Sequence, residues 1–146
     1  TVAWASDVSE KGFNRRGLGL VPDYDQLIAK QHEVGSDQAR WVGSAPSSRP
    51  EEIAFVAPCP ELDITVEMRQ AGYDNYTTTD DHGMQIFGIA KDQTGKKYYM
   101  VKNSWGITGD YDGIWYVSEA FVRYKTMDIM VNRNAIPAEI SAKINW

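Results

Sequence analysis

The sequence contains few of the residues that cross-link a small domain or bind metal in it. Among 146 residues there are one cysteine, Cys59, and two histidines, His32 and His82. One cysteine cannot form an internal disulfide, and the two histidines stand too far apart in sequence for the spacing of a zinc site. We therefore predict no disulfide framework, no metal and no other cofactor. His32 lies in a polar stretch and is expected at the surface.

Long apolar runs and basic clusters are also absent. No apolar run reaches the roughly 20 residues that cross a bilayer, and residues 1–7 lack the basic and apolar regions of a signal peptide. The net charge is -5, and the tightest basic pair, Arg15 and Arg16, is too small to bind a phosphate backbone. We predict neither a membrane nor a nucleic acid as a partner. The chain begins without methionine, so an upstream signal peptide and the compartment stay open.

The residues that are present fit one folded domain whose first part is irregular. A hydrophobic content of 42% with 24% charged residues is ordinary for a globular domain. Residues 1–58 predict a short strand at 2–5, a glycine-punctuated loop at 12–25 and a polar stretch at 32–49. Because long ordered loops usually serve a function or lean on other polypeptide, we expect this part to pack against a segment that the sequence does not contain.

From residue 60 onward the patterns are sharper. Proline at a first helical position and early acidic residues predict a helix over residues 60–73. Residues 83–91 and 96–105 flank the turn "DQTG" and predict a β-hairpin. Two further strands are predicted at 113–118 and 127–132, with a two-turn helix capped by Ser118 between them and a closing helix at 137–144. The fold class is therefore α+β, an antiparallel sheet with peripheral helices.

The predicted hairpin brings a histidine and an asparagine together. With the turn centred between Gln93 and Thr94, paired residue numbers sum to about 187 and Asn103 lies opposite Met84. His82 is then a diagonal neighbour of Asn103 on the same face, within reach of a hydrogen bond. An acceptor on one imidazole nitrogen fixes the tautomer and ring orientation that a general base needs. A neutral amide in that place suits a cysteine nucleophile, because thiolate and imidazolium already stabilise each other.

Two neighbouring residues are expected to support this pair. Trp105 could cover the contact between His82 and Asn103 and keep water from competing for it. Asp81 is expected to favour the imidazolium modestly. A purely structural interpretation stays open at this point, because a histidine near a strand end, an asparagine before serine and a tryptophan in a strand are all common without catalysis.

The motifs themselves resemble those of papain-like cysteine peptidases. "DHGMQIFGIAKD" carries the Asp-His-small residue motif at Asp81, His82 and Gly83, and "YYMVKNSWG" carries the Asn-Ser-Trp-Gly motif at residues 103–106. Within that family, "AWASDVSEKGF" and "SEAFVRYKTMDIMVNRNAIP" resemble the branch of bleomycin hydrolase and aminopeptidase C. The resemblance implies a barrel-like lobe and thiol-dependent hydrolysis of peptide substrates, in that branch usually from the amino terminus. His82 would carry the proton and Asn103 would orient it.

The same resemblance implies an assembly and a compartment. Several members of the branch are cytoplasmic, ring-shaped hexamers whose C-terminal segment lies in the active-site cleft. Here that segment would fall within residues 141–146. A homo-oligomer is therefore an expectation from the resemblance.

A nucleophile is missing from the matching place. The papain-type cysteine precedes the histidine by roughly 130 residues, so it would lie before the first residue of this chain, together with the glutamine of the oxyanion hole. We therefore expect residues 1–146 to be the C-terminal, His- and Asn-bearing lobe, inactive without the N-terminal, Cys-bearing lobe.

Two alternatives stay open. The chain could be a non-catalytic binding or scaffold module that keeps the peptidase fold. It could also be a self-contained thiol enzyme using Cys59, because a thiol just before a helix starting at Pro60 would have a lowered pKa.

Overall fold

A computed structural model of the protein describes residues 1–34 and 59–144, and its centre is one seven-stranded sheet. The strands are β1 (Val2–Ser6), β2 (Phe13–Asn14), β3 (Leu18–Gly19), β4 (His82–Lys91), β5 (Lys97–Lys102), β6 (Ile114–Ser118) and β7 (Thr126–Met130). The helices are α1 (Tyr24–Val34), α2 (Val66–Asp74), α3 (Glu119–Lys125) and α4 (Ala138–Ser141), with a 3₁₀ turn at Arg133–Ala135. In the described part of the chain no helix is long and apolar enough to cross a bilayer.

The sheet has the order β2-β3-β6-β5-β4-β1-β7 and confirms the α+β fold class. It is curled into a half-barrel, with the helices at its periphery. Neighbouring strands are antiparallel except β3 and β6, which pair in parallel. The prediction of a purely antiparallel sheet is wrong at that one pair. The early part of the chain supplies β3 to the edge of β6 that β5 leaves free, and β3 runs there in the same direction as β6.

The β4–β5 hairpin has the predicted register at its open end. Gln85 pairs with Lys102 and Ile86 with Val101, and both pairs have the predicted sum of 187. Toward the turn the pairing is shifted by one residue, because Phe87 forms a bulge between the two stretches. A bulge adds one residue to one strand and so corrects the register beyond it. Near the turn the pairing is centred on Thr94, half a residue beyond the predicted centre, and the bulge restores the predicted pairing toward the open end.

The hairpin turn is closed by a single carboxylate. Asp92 Oδ1 accepts hydrogen bonds from the backbone N–H of Thr94 at 2.8 Å and of Lys96 at 3.0 Å, and from the Thr94 hydroxyl at 2.6 Å. Gly95 has φ 86, in the left-handed region that side chains avoid. Local turn chemistry thus fixes where the two strands reverse.

The main hydrophobic core lies on one face of this sheet. Its buried residues come from five strands and one helix and include four aromatic rings: Trp4, Phe13, Met84, Val101, Trp115, Val117 and Phe121. The rings of Phe13 and Trp115 stack with centroids 5.8 Å apart, and Phe121 contacts both Trp4 and Phe13. Aromatic rings in such geometries add to the burial of apolar area. This cluster is the support on which the strand ends are positioned.

The helix predicted from Pro60 begins later, at Val66, where Thr65 Oγ1 accepts from the N–H of Met68 at 3.2 Å. The preceding residues run in an extended conformation, with Glu61 bridged to Pro22. The prediction of the helix start was wrong because Glu61 has distant partners. Its carboxylate accepts from Val21 N at 2.6 Å and from Ser118 Oγ at 2.6 Å, and it forms an ion pair with Lys96.

The first part of the chain is more regular than predicted. The loop at 12–25 contains β2 and β3, and α1 follows it. Asp23 caps α1, because its carboxylate accepts from Gln26 N at 3.0 Å and from Gln26 Nε2 at 2.8 Å. His32 belongs to α1, and the rest of the polar stretch, residues 35–49, lies outside the described residues. The pattern Asp-x-x-Gln was a readable signal for a helix start.

The elements predicted after the hairpin are confirmed. Strands β6 and β7, helix α3 and the short α4 lie where the sequence indicated. Ser118 Oγ accepts from the N–H of Phe121 at 3.1 Å and so caps α3 as expected.

The core predicts a large difference between two phenylalanines. Phe121 is 1% exposed and packs against two aromatic rings, whereas Phe87 is 44% exposed at the bulge. We expect Phe121→Ala to lower the free energy of unfolding by about 3–5 kcal/mol, because it leaves a cavity in the core. Phe87→Ala is the matched control and should cost less than about 1 kcal/mol. Urea unfolding followed by circular dichroism measures both, and equal losses would contradict this account of the core.

Candidate active site

The structure joins His82 and Asn103 at the open end of the hairpin. His82 is the first residue of β4, Asn103 directly follows β5, and His82 Nε2 lies 2.8 Å from Asn103 Oδ1. The same oxygen accepts from the N–H of Ser104 at 2.7 Å, which fixes the orientation of the amide. An amide oxygen only accepts, so Nε2 carries the hydrogen. The lone pair of the neutral ring is therefore on Nδ1.

Asn103 is held in the interior of the protein. Asn103 is 3% exposed, and its side-chain Nδ2 is buried without a hydrogen-bond partner among the described residues. A buried amide donor without an acceptor is costly. The amide oxygen of Asn103 is thus hydrogen-bonded and faces His82, whereas the amide nitrogen still needs an acceptor.

Trp105 links this pair to the core. Its ring lies 5.0 Å from the His82 imidazole, centroid to centroid, with 33° between the planes. Its other contacts are edge-on to Trp115 at 5.5 Å and to Phe13 at 6.1 Å. The indole therefore rests on the core and covers one face of the imidazole, while Trp105 as a whole remains 43% exposed.

Asp81 contacts the backbone of the neighbouring strand segment. Its Oδ1 accepts from the N–H of Val8 at 3.0 Å. Burial raises the pKa of the Asp81 carboxyl and the charge of Asp7 raises it further, against the lowering effects of the Val8 hydrogen bond and of His82. The attraction to His82 is the weakest of these effects. Asp81 thus mainly connects the segment before β4 to the segment after β1.

A groove runs beside the pair on the exposed side of the sheet. Its volume is about 470 Å³, and its walls come from β1, β4, β5 and β7 and include Ala5, Gly83, Gln85, Asp128 and Met130 next to Asn103. A side chain added at Gly83 would meet nothing within 4 Å. The glycine after His82 therefore leaves open space in the groove, whereas the imidazole lies on the other face of the sheet, because side chains alternate along β4.

A comparison with protein families places these residues in context. A model of the Peptidase C1-like family matches residues 58–146, more than half of the chain, and the match includes His82 and Asn103. The chain belongs to this family. Its relationship is to the papain-like cysteine peptidases. No curated protein sequence matches the chain significantly.

A solved structure supports the fold of this Peptidase C1-like chain. The structure of PepW from Lactobacillus rhamnosis HN001 is similar with a TM-score of 0.56 at 16% sequence identity. The similarity covers 97% of this chain and 25% of the PepW chain. The protein described here therefore spans about a quarter of the length of that relative.

Cys59 lies far from the histidine in this Peptidase C1-like chain. It is buried with Leu20, Leu27 and Tyr98, and its carbonyl accepts from Lys96 beside the hairpin turn. Tyr98 pairs with Ala90, eight residues after His82 on β4, which at about 3.3 Å per residue is a separation of ~25 Å. The helix start at Pro60 that was expected to lower the pKa of the Cys59 thiol is absent, because α2 begins at Val66.

The surroundings of Cys59 also oppose a reactive thiol. Burial raises the pKa of the Cys59 thiol and the nearby Glu61 carboxylate raises it further, whereas Lys96 lowers it. The expectation of a lowered pKa is therefore wrong, because desolvation acts where a helix N-terminus was expected.

Sequence reasoning missed two charged residues next to the site. Asp7 is 1% exposed and Lys125 is 2% exposed. Lys125 occupies the last turn of an amphipathic helix, where lysine is usually solvated, so the pattern held no signal for its burial. For Asp7, the only signal in the sequence was a charged residue directly after the predicted first strand.

Cys59 predicts a simple chemical result. Because its thiol is buried and its pKa is raised, we expect native protein to react with iodoacetamide at pH 8 about tenfold or more slowly than the urea-unfolded chain. Intact-mass spectrometry at timed intervals measures the rate. Labelling of the native protein as fast as that of the unfolded chain would show that the Cys59 thiol is accessible and would reopen its role as a nucleophile.

Proposed function

We propose that residues 1–146 form the C-terminal, His- and Asn-bearing lobe of a papain-like cysteine peptidase of the aminopeptidase type. The observation that carries this proposal is the 2.8 Å contact from His82 Nε2 to Asn103 Oδ1. It leaves Nδ1 free to accept a proton, in a ring that Trp105 covers on one face. The nucleophilic cysteine belongs to polypeptide outside this chain, because the one cysteine here is buried elsewhere.

The geometry suits general base and general acid catalysis by one group. In the proposed reaction His82 Nδ1 takes the proton of a cysteine thiol, and the thiolate attacks the carbonyl carbon of the scissile peptide bond. The imidazolium then gives this proton to the leaving amine, and an acyl-enzyme thioester remains. His82 next takes a proton from water, whose oxygen attacks the thioester, and returns a proton to the cysteine sulfur. Asn103 holds the ring during each transfer.

The surface beside the site supports a partner lobe. The loop after Asn103 exposes three large apolar side chains, with Ile107 at 82% and Trp105 and Tyr111 also exposed. Exposed apolar groups next to a catalytic pair mark a surface that another body covers. The unpaired Asn103 Nδ2 is a donor that an acceptor from that body could satisfy. These features favour a two-lobed enzyme over a lobe that acts alone.

The remaining parts of the proposal come from the family resemblance. Peptides are the proposed substrates. Removal of amino-terminal residues and assembly into a homo-oligomer extend the resemblance to the bleomycin hydrolase branch. A non-catalytic module with this fold is the second candidate, favoured by the distance between His82 and Cys59.

The first test is chemical labelling of the protein isolated from its natural source. We expect an epoxysuccinyl inhibitor of cysteine peptidases to add its mass to a longer chain containing this sequence, or to a second polypeptide that copurifies with it. Intact-mass spectrometry identifies every labelled species, and peptide mapping identifies the labelled cysteine. Only unlabelled protein of 16.4 kDa would contradict the two-lobed enzyme and favour the non-catalytic module.

The second test assigns the two residues by substitution in the active species. We expect His82→Ala to lower kcat about 10²–10⁴-fold, because the general base and acid is lost. Asn103→Ala should lower kcat less, and should leave KM for an aminoacyl anilide nearly unchanged because Asn103 acts through the imidazole. Lys91→Ala, at the far end of β4, is the matched control. Full activity of His82→Ala would exclude the proposed role.

A further inference from the structure

We propose that Lys125 is a positioning residue, which acts through Asp7 and residues 77–79 to fix the backbone that leads into His82. The effect of Lys125 on catalysis rests on the proposed function, whereas its effect on the position of His82 does not. Lys125 is the last residue of α3 and touches neither His82 nor Asn103 in any hydrogen bond or ion pair that the structure records.

The backbone before His82 depends on side chains for its position. Residues 77–81 precede β4 without forming a strand or helix, and Tyr76 just before them has φ 59, in the left-handed region. A residue other than glycine in this region is strained unless its surroundings hold it. The direction in which the chain enters β4 is therefore set by tertiary contacts.

Two aspartates clamp this entry from opposite sides. His82 pairs with Ser6 across β4 and β1. Asp7, directly after Ser6, accepts from the N–H of Thr79 at 3.2 Å, and Asp81, directly before His82, accepts from the N–H of Val8 at 3.0 Å. Each carboxylate thus reaches across to the backbone of the other segment. The pair of crossed hydrogen bonds fixes the Ser6–His82 register, and we call it the aspartate clamp.

Lys125 supports the clamp from inside the protein. Its Nζ donates to Thr77 O at 3.1 Å and to Thr78 Oγ1 at 3.1 Å, and it lies 3.6 Å from Asp7 Oδ2. Its carbonyl accepts from the N–H of Asp7 at 3.1 Å. One residue therefore holds both the segment before His82 and the aspartate that binds the same segment.

The charges around Lys125 explain why its loss would act on the clamp. The groups that face it are Asp7, Glu10 at 2.5 Å and the ring of Tyr124 at 4.6 Å from Nζ. Asp81 and then His82 lie beyond Asp7. Burial alone would raise the pKa of Asp7, but hydrogen bonds from Ser9 and Thr79 and the charge of Lys125 lower it overall.

Without the ammonium, Asp7 would be a buried carboxylate beside a second carboxylate. An unpaired buried charge is strongly destabilising, and like charges repel. We expect residues 77–81 to move, so that water can solvate the Asp7 carboxylate. That movement would release Thr79 from Asp7 and change the orientation of His82.

The test is Lys125→Met in the chain as it stands, with local hydrogen exchange and imidazole spectroscopy as readouts. We expect the amides of Thr79 and Val8 to exchange about tenfold or more faster, while the amide of Val101 in the centre of the sheet changes less. The ¹⁵N signals of the His82 ring should shift away from a fixed Nε2–H tautomer. Neither readout needs a nucleophile, so failure here is separate from failure of the proposed function.

Two further variants make the result decisive. Lys97→Met removes a partly exposed lysine that pairs with Glu119 at 2.8 Å, and it should leave both readouts unchanged. Thr78→Val removes one acceptor of Lys125 without burying a charge, and it should give a smaller effect confined to the same two amides. If Lys125→Met does not fold, Thr78→Val decides alone. Equal acceleration of all three amides, or an unchanged His82 spectrum in a folded variant, would overturn the proposal.

Discussion

The register between β4 and β5 is the constraint on which the rest of this structure depends. Side chains alternate between the faces of a sheet, so a slip of one residue would move His82 to the opposite face from Asn103. The Asp92 turn sets the reversal at one end, and the bulge at Phe87 adjusts the pairing before the strands reach the site. The 2.8 Å contact between His82 and Asn103 depends on this register.

The site is stabilised from two directions by different forces. On one side Trp105 transmits the packing of Phe13 and Trp115 to one face of the imidazole. On the other side buried charges and backbone hydrogen bonds hold the segment that leads into His82. Packing restricts where the ring can lie, and hydrogen bonds restrict how the chain arrives. A rigid general base, the role that we propose for His82, needs both, because proton transfer depends on small distances.

The chain belongs to the Peptidase C1-like family and spans about a quarter of the length of PepW. The described residues join the His82 imidazole to the Asn103 amide, and in the proposed enzyme Nδ1 of His82 would face the nucleophile. Exposed apolar side chains after Asn103 lie next to that face. In the two-lobed enzyme that we propose, each lobe would fold around its own core and the reaction would be confined to the contact between them.

The sequence by itself determined the features that depend on neighbours along the chain. The hairpin, the Ser118 cap of α3 and the approach of His82 to Asn103 all follow from alternation, turn chemistry and capping, which act over a few residues. The motif at Asp23 and Gln26 was equally local and could have revealed α1.

Only the tertiary structure decided what distant groups impose. Glu61 stays extended because Val21, Ser118 and Lys96 bind its carboxylate, and this delays α2 to Val66. The same fold buries Cys59, so its pKa rises where a helix start would have lowered it. Lys125 has the sequence context of a solvated lysine, yet the approach of β1 and residues 77–79 buries its ammonium. Burial and long-range charge pairing arise only when the elements assemble, because they depend on residues that are close in space but distant in the sequence.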